Sequence, residues 1–263
     1  MTCRSSGRRA VYAALSGFML VAGAQARIHG ESALAAYNNN ASLAFIHSHV
    51  GYGERNSPPN GVYADTDSGF VEGGRFAVSG MRTAGVRNVY FHASYSQTDG
   101  TLNYVSGSYV GPQNTQMTDI GLRLGQGFMV ANRMMLIPYI GYGFHHWARG
   151  YYEGYRNQYA AFGFLWQVEL FRRLVTSLNL AYGRTIHPSI SAPAYGLQGL
   201  GPKPWRRAGV DVDYLIGRHE AVFVSATYTE FQYGAGPVVP SVGNEPFSQT
   251  EVTNYAIGAR FLF

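Results

Sequence analysis

The chain has 263 residues, of which only 13% are charged, against about 25% in an ordinary soluble domain, while glycine (33) and tyrosine (20) are abundant. The formal charge is +5 and the mean hydropathy is -0.12, values that exclude a bundle of greasy spanning helices. They fit an average over strands whose lipid-facing and lumen-facing residues alternate.

The first segment, "MTCRSSGRRAVYAALSGFMLVAGAQA", sets Arg4, Arg8 and Arg9 before an apolar run from about Ala10 to Val21 and an Ala24-Gln25-Ala26 ending. That is the layout of a cleaved secretory signal, expected over residues 1–26 with the mature chain starting at Arg27. Its removal takes the only cysteine, Cys3, and lowers the formal charge to +2. Disulfides, thiolate metal sites and a nucleic-acid partner thereby lose their support.

Residues 27–41 are polar and read as a periplasmic lead-in, and 42–263 read as the barrel. Strands are expected at about 42–54, 69–82, 87–98, 117–129, 134–147, 157–170, 173–186, 206–217, 220–233 and 251–263. The clearest, "NQYAAFGFLWQVEL", places Ala160, Phe162, Phe164, Trp166, Val168 and Leu170 on one face, a period of two. Connections near 83–86, 130–133, 171–172 and 218–219 are short, whereas 55–68, 99–116, 148–156, 187–205 and 234–250 are long. Outer-membrane barrels have short periplasmic turns and long outer loops. Five long loops imply ten strands in an all-β, closed antiparallel transmembrane β-barrel, with eight as the runner-up. Pro138 is the only proline inside an expected strand and calls for a bulge. Trp147, Tyr151, Tyr152, Phe231 and Tyr233 on the loop side, and Phe171, Phe261 and Phe263 on the turn side, are expected in the headgroup zones.

The ending "YAIGARFLF", with Tyr255, Ile257, Phe261 and Phe263 on one face, resembles the carboxy-terminal sorting signal of Gram-negative outer-membrane proteins. "IPYIGYGF" and "NVYFHASYS" are similar to strands of the porin-like, opacity-protein type barrels. The resemblance implies the outer membrane as location, outer-membrane lipid and lipopolysaccharide as surroundings, and the barrel assembly machinery as a partner.

With the greasy face on lipid, Arg75, Asp119, Arg123, Glu169, Asp211, Asp213 and Arg260 turn inward, with His92 nearby. They are expected to form a network of ion pairs in a narrow lumen. His47, His49, His145 and His146 lack a completing ligand set, so no metal and no cofactor is expected. In "TIHPSIS", His187 and Ser189 are similar to the His-x-Ser pair of outer-membrane lipid A deacylases, in which the histidine activates the serine toward an acyl ester. That motif continues with Asn and precedes the last strand, whereas Ile190 follows here. Omptin proteases use an Asp pair facing an Asp-His pair; Asp65, Asp67, Asp211 and Asp213 offer acids, but no Asp-x-His occurs. The expected role is therefore structural or binding, non-enzymatic, with an extracellular ligand met by loop segments such as "WARGYYEGYRNQY" and "GPKPWRR". A narrow small-solute pore and a deacylase-like enzyme are the alternatives.

Overall fold

The computed structural model describes residues 33–55, 63–82, 88–150, 153–193, 196–239 and 244–263. The expected signal peptide, Arg27, Tyr151 and Tyr152 lie outside them. A short helix α1 (Ala33–Tyr37) precedes strands β1 (Asn40–Arg55), β2 (Tyr63–Arg82), β3 (Val89–Ser106), β4 (Tyr109–Gln126), β5 (Phe128–Ala131), β6 (Met134–Arg149), β7 (Glu153–Phe171), β8 (Leu174–Ala192), β9 (Gly196–Gly199), β10 (Pro202–Leu215), β11 (Glu220–Tyr233) and β12 (Phe247–Leu262). Two of these are accessory: β5 prolongs β4 beyond Gly127 against β6, and β9 folds back on the outer end of β8. The other ten form a closed antiparallel barrel. Around the ring the order is β1-β2-β3-β4-β6-β7-β8-β10-β11-β12, and β1 meets β12 from Asn40↔Leu262 to Arg55↔Phe247.

Alternation decides which side chains meet lipid. Leu43 and Phe45 on β1, Ile120, Leu122 and Leu124 on β4, Phe162, Phe164 and Trp166 on β7, and Ile257 and Phe261 on β12 all point outward and are exposed. Together they make an apolar belt. At its upper edge Tyr95 and Tyr142 reach out of it, their hydroxyls donating to Gln97 (2.7 Å) and Gln158 (2.6 Å), as amphipathic rings do at a membrane boundary.

The strands do not stop there. β3 and β4 continue for about ten residues past Tyr95 and Ile120, roughly 30 Å of strand, with Gln97, Asp99, Thr101, Asn114 and Gln116 on their outer face. The expected long loop 99–116 is thus mostly hairpin, turning at Gly107 (φ 57°). Likewise β8 runs to Ala192, inside the expected loop 187–205. Above the belt the outer face meets water, so the apolar half of the alternation disappears while the ladder persists.

Two further expectations change. Trp147, Phe231 and Tyr233 are buried inside the barrel, because their parity is that of the inward residues of β6 and β11. Among the described residues the outer girdle includes instead Tyr95, Tyr142, Tyr182 and Tyr255. Pro138 points outward at an interruption of the β4–β5 ladder at Gly127, with a register shift at Met129/Ala131 close by, so its missing N–H falls where the ladder already breaks. In "VEGGRF", a β-carbon at Gly73 would stand 1.9 Å from the Gln97 carbonyl oxygen, so only glycine allows β2 and β3 to approach this closely.

α1 closes the turn-side end. Leu34, Ala35 and Tyr37 pack on Met81, Met135, Tyr139, Leu165 and Val175. The run Asn38-Asn39-Asn40 fixes it: Asn38 donates to Gln167 (2.7 Å), Asn39 accepts from the Met81 N–H (2.8 Å), and Asn40 donates to the Tyr37 carbonyl (2.9 Å).

Replacing Phe164 by Arg puts an uncompensated charge in the belt and is expected to cost about 2–4 kcal/mol. Gln158→Arg, on the same face but above the belt, is expected to be neutral. Urea titration of the barrel folded into phospholipid vesicles measures both.

Candidate functional site

Two sites inside the barrel gather polar chemistry, one under the outer rim and one at the level of the belt. The outer site lies above the polar positions His47, His49 and Glu72 of β1 and β2, and so outside the membrane-spanning segments. Its floor is an aromatic cluster that includes Tyr52, Trp147, Tyr155, Tyr159, Trp205, Phe231 and Tyr233. The rings of Trp147 and Tyr233 stack on Tyr155 at centroid distances of 5.6 and 5.3 Å, and Tyr159 stacks on Trp205 at 4.3 Å. The Trp147 indole N–H donates to the Thr115 hydroxyl.

Arg149 organises the charges. At 2% side-chain exposure it meets Asp67 (2.5 Å), Glu54 (3.3 Å) and Glu153 (2.9 Å), and its guanidinium lies over the rings of Tyr52 (4.4 Å) and Tyr104 (5.1 Å). A second chain of contacts crosses the lumen. The Tyr52 hydroxyl lies 2.6 Å from Glu54, the Tyr155 hydroxyl 2.5 Å from Glu245, and the two hydroxyls 2.5 Å from each other. Three such contacts need three protons, and the two phenols supply two. The third therefore sits on Glu54 or Glu245. Burial agrees, pushing the Glu54 carboxyl up to about 7 against the lowering effects of Tyr52 and Arg149, and raising Glu245 as well. Burial also raises Asp67, which Arg149 opposes.

At the belt level lies a chamber of about 130 Å³ lined by Arg75, Asp119, Arg123, Asp211 and Arg260, with His92 and Arg207 beside them. Arg260 pairs with Asp213 (2.5 Å) and Asp211 (3.4 Å), and Asp119 pairs with His145 (2.9 Å). Glu169 stands apart, near the β7–β8 turn and outside the chamber lining.

The candidate His187 sits exposed at an irregularity in β8, with φ 46°. Ser189 lies two residues on, and among the described residues no hydrogen bond joins their side chains. Tyr255, Ile257, Phe261 and Phe263 all project outward from β12. Trp147, Arg149, Tyr155 and Trp205, from the two segments expected to form contact surfaces, face inward. Arg207 shares the parity of Asp211 and Asp213, and that spacing was the available sign of its inward direction.

Neither a protein-family model nor a characterised relative matches the sequence. Among solved structures, the outer membrane protease OmpT from Escherichia coli is similar over 86% of this chain and 97% of its own, with 9% identity and a TM-score of 0.54. The transport unit of the autotransporter AIDA-I from Escherichia coli is 7% identical over 98% of both chains (TM-score 0.46), and Neisserial surface protein A is 10% identical over 85% of this chain and 97% of its own (TM-score 0.35). The fold is that of the bacterial outer-membrane β-barrels. Its apolar belt gives the chain the lipid-facing surface that this fold requires.

Arg149→Met leaves Asp67 and Glu54 buried without their cation and is expected to destabilise the barrel by about 3–5 kcal/mol, read by urea unfolding. The pH dependence has a definite sign. Because the folded Glu54 value lies above its ordinary 4.5, its contribution is full below pH 4.5 and is lost as pH rises through about 7. Hydrogen exchange at the outer ends of β1 and β7, corrected for intrinsic rates, should be slower at pH 5 than at pH 8. Glu54→Gln should flatten that difference.

Proposed function

We propose that this chain is a surface barrel with a structural or binding role, in which the polar upper strands and their connections meet extracellular partners while the lumen stays closed. The observation that carries this reading is a pair of ties between strands five places apart in the ring of ten. Tyr52 on β1 meets Tyr155 on β7 near the outer end, and Asn38, just before β1, meets Gln167 on β7 near the inner end. A filled lumen argues against a solute pore, and barrels of this size hold side chains or at most a small ligand.

The outward surface suits its surroundings. Arg156, Arg184 and Arg206 stand exposed on the adjacent strands β7, β8 and β10, just above the belt, where the phosphates of lipopolysaccharide would lie. The outward residues Tyr255, Ile257, Phe261 and Phe263 present the pattern that the barrel assembly machinery would read. OmpT is similar in fold alone, and its protease activity is not carried over to this chain.

Planar-bilayer recordings of the purified, refolded barrel are expected to show no steady conductance, and lipid A from expressing cells is expected to keep its mass. A steady ion-selective conductance would overturn the reading in favour of a pore. Loss of an acyl chain that Ser189→Ala abolishes would overturn it in favour of a lipid A enzyme.

A further inference from the structure

We infer that the belt-level chamber is a binding site for a small free oxyanion of the phosphate or sulfate type. The charge inventory leads there. Four guanidiniums, Arg75, Arg123, Arg207 and Arg260, line the chamber, against the carboxylates Asp119 and Asp211 in the lining and Asp213 behind Arg260. Four cations against three anions leave one positive charge over, before any charge on His145 is counted.

The carboxylates are also already engaged. Arg260 holds both Asp211 and Asp213, and Asp119 faces His145. The direct contacts of the other three guanidiniums among the described residues are with neutral groups, and Asp211 and Asp119 act on them only from beyond ion-pair distance. Arg75 donates to the Ser225 hydroxyl (3.3 Å) and lies 5.7 Å from the centre of the Phe223 ring. Arg207 donates to the Thr229 hydroxyl (3.1 Å) and lies over Trp205 at 5.1 Å. Arg123 lies over Tyr139 at 5.2 Å.

Cations held at this depth, ringed by hydrocarbon, are costly without counter-charge. Each guanidinium retains N–H groups in a planar fork that matches an oxyanion. Ser94, Ser96 and Asn254 add hydroxyl and amide donors to the lining. The volume is of the order that accommodates one small molecule. Aromatic side chains roof the chamber and α1 floors it, so an ion free in solution fits and a headgroup tethered to acyl chains does not.

The test uses inorganic phosphate. The barrel is refolded into detergent in phosphate or in chloride at equal ionic strength, then desalted and assayed for retained phosphate and for its unfolding temperature. One tightly held phosphate per barrel is expected, with a higher unfolding temperature in phosphate than in chloride. Phosphate also stabilises proteins generally by exclusion from their surface, and Arg123→Met separates the two effects. In chloride this variant, relieved of the surplus charge, should unfold at a temperature equal to or higher than the native chain. In phosphate it should unfold lower and bind at least tenfold more weakly. Arg207→Gln gives the same comparison where Arg123→Met does not fold. Equal phosphate responses in native chain and variant, or no retained phosphate, would overturn the inference.

Discussion

The constraint on which this molecule rests is that hydrocarbon offers no partner to a backbone N–H or C=O, so every strand in the belt must have two neighbours. The last requirement of that rule is the seam between β1 and β12, where the first and last strands of the barrel pair over their whole common length. With the start of β1 and the end of β12 both on the turn side, an even number of strands follows. The seam also fixes the faces: once Leu43 stands opposite Ala259, the parity of each strand in the ring is set, and a slip of one residue would turn the belt inward.

Closure at ten strands leaves an interior too narrow to be open water and too wide for backbone contact, so side chains must fill it. They do so in layers whose chemistry follows depth. At the turn side, α1 brings methyls, rings and neutral amides. At the level of lipid, where water is scarce, charges are present and the carboxylates among them are held, as Asp211 and Asp213 are by Arg260. Under the outer rim, large rings supply apolar area, and their polar tips and the carboxylates gather around Arg149. Nearly every layer includes a contact between strands that are not neighbours. Such contacts brace the ring in a way that ladder hydrogen bonds cannot.

Within the belt this architecture was legible from alternation alone. Phe162, Phe164 and Trp166 on one face, and Asp211 and Asp213 on the inner one, stand where period two puts them. Above the belt legibility failed for a physical reason: with water outside, Thr101, Asn103, Asn114 and Gln116 carry no apolar signal, although their backbone continues the ladder. The aromatic residues misled differently. Trp147, Phe231 and Tyr233 lie near strand ends, as girdle residues do, yet their parity with His145 and Thr229 marked them as inward. The cross-lumen contacts were not legible at all, because which residue of β1 faces which residue of β7 depends on the stagger accumulated over five intervening pairings. For the same reason the inward turn of Arg149 could be read from parity, but its three carboxylates could not.

The two ends of the lumen are tied in chemically different ways, and that difference bears on how the molecule can respond. The inner tie, Asn38 to Gln167, joins neutral amides and is indifferent to pH. The outer tie runs through two phenols to two carboxylates and depends on one proton. Removing that proton loosens only the end that faces the surroundings, where acidity varies, and leaves the end guarded by α1 in place. The two ends of the lumen therefore differ in their sensitivity to acidity, the outer tie holding through a proton and the inner one through amides alone.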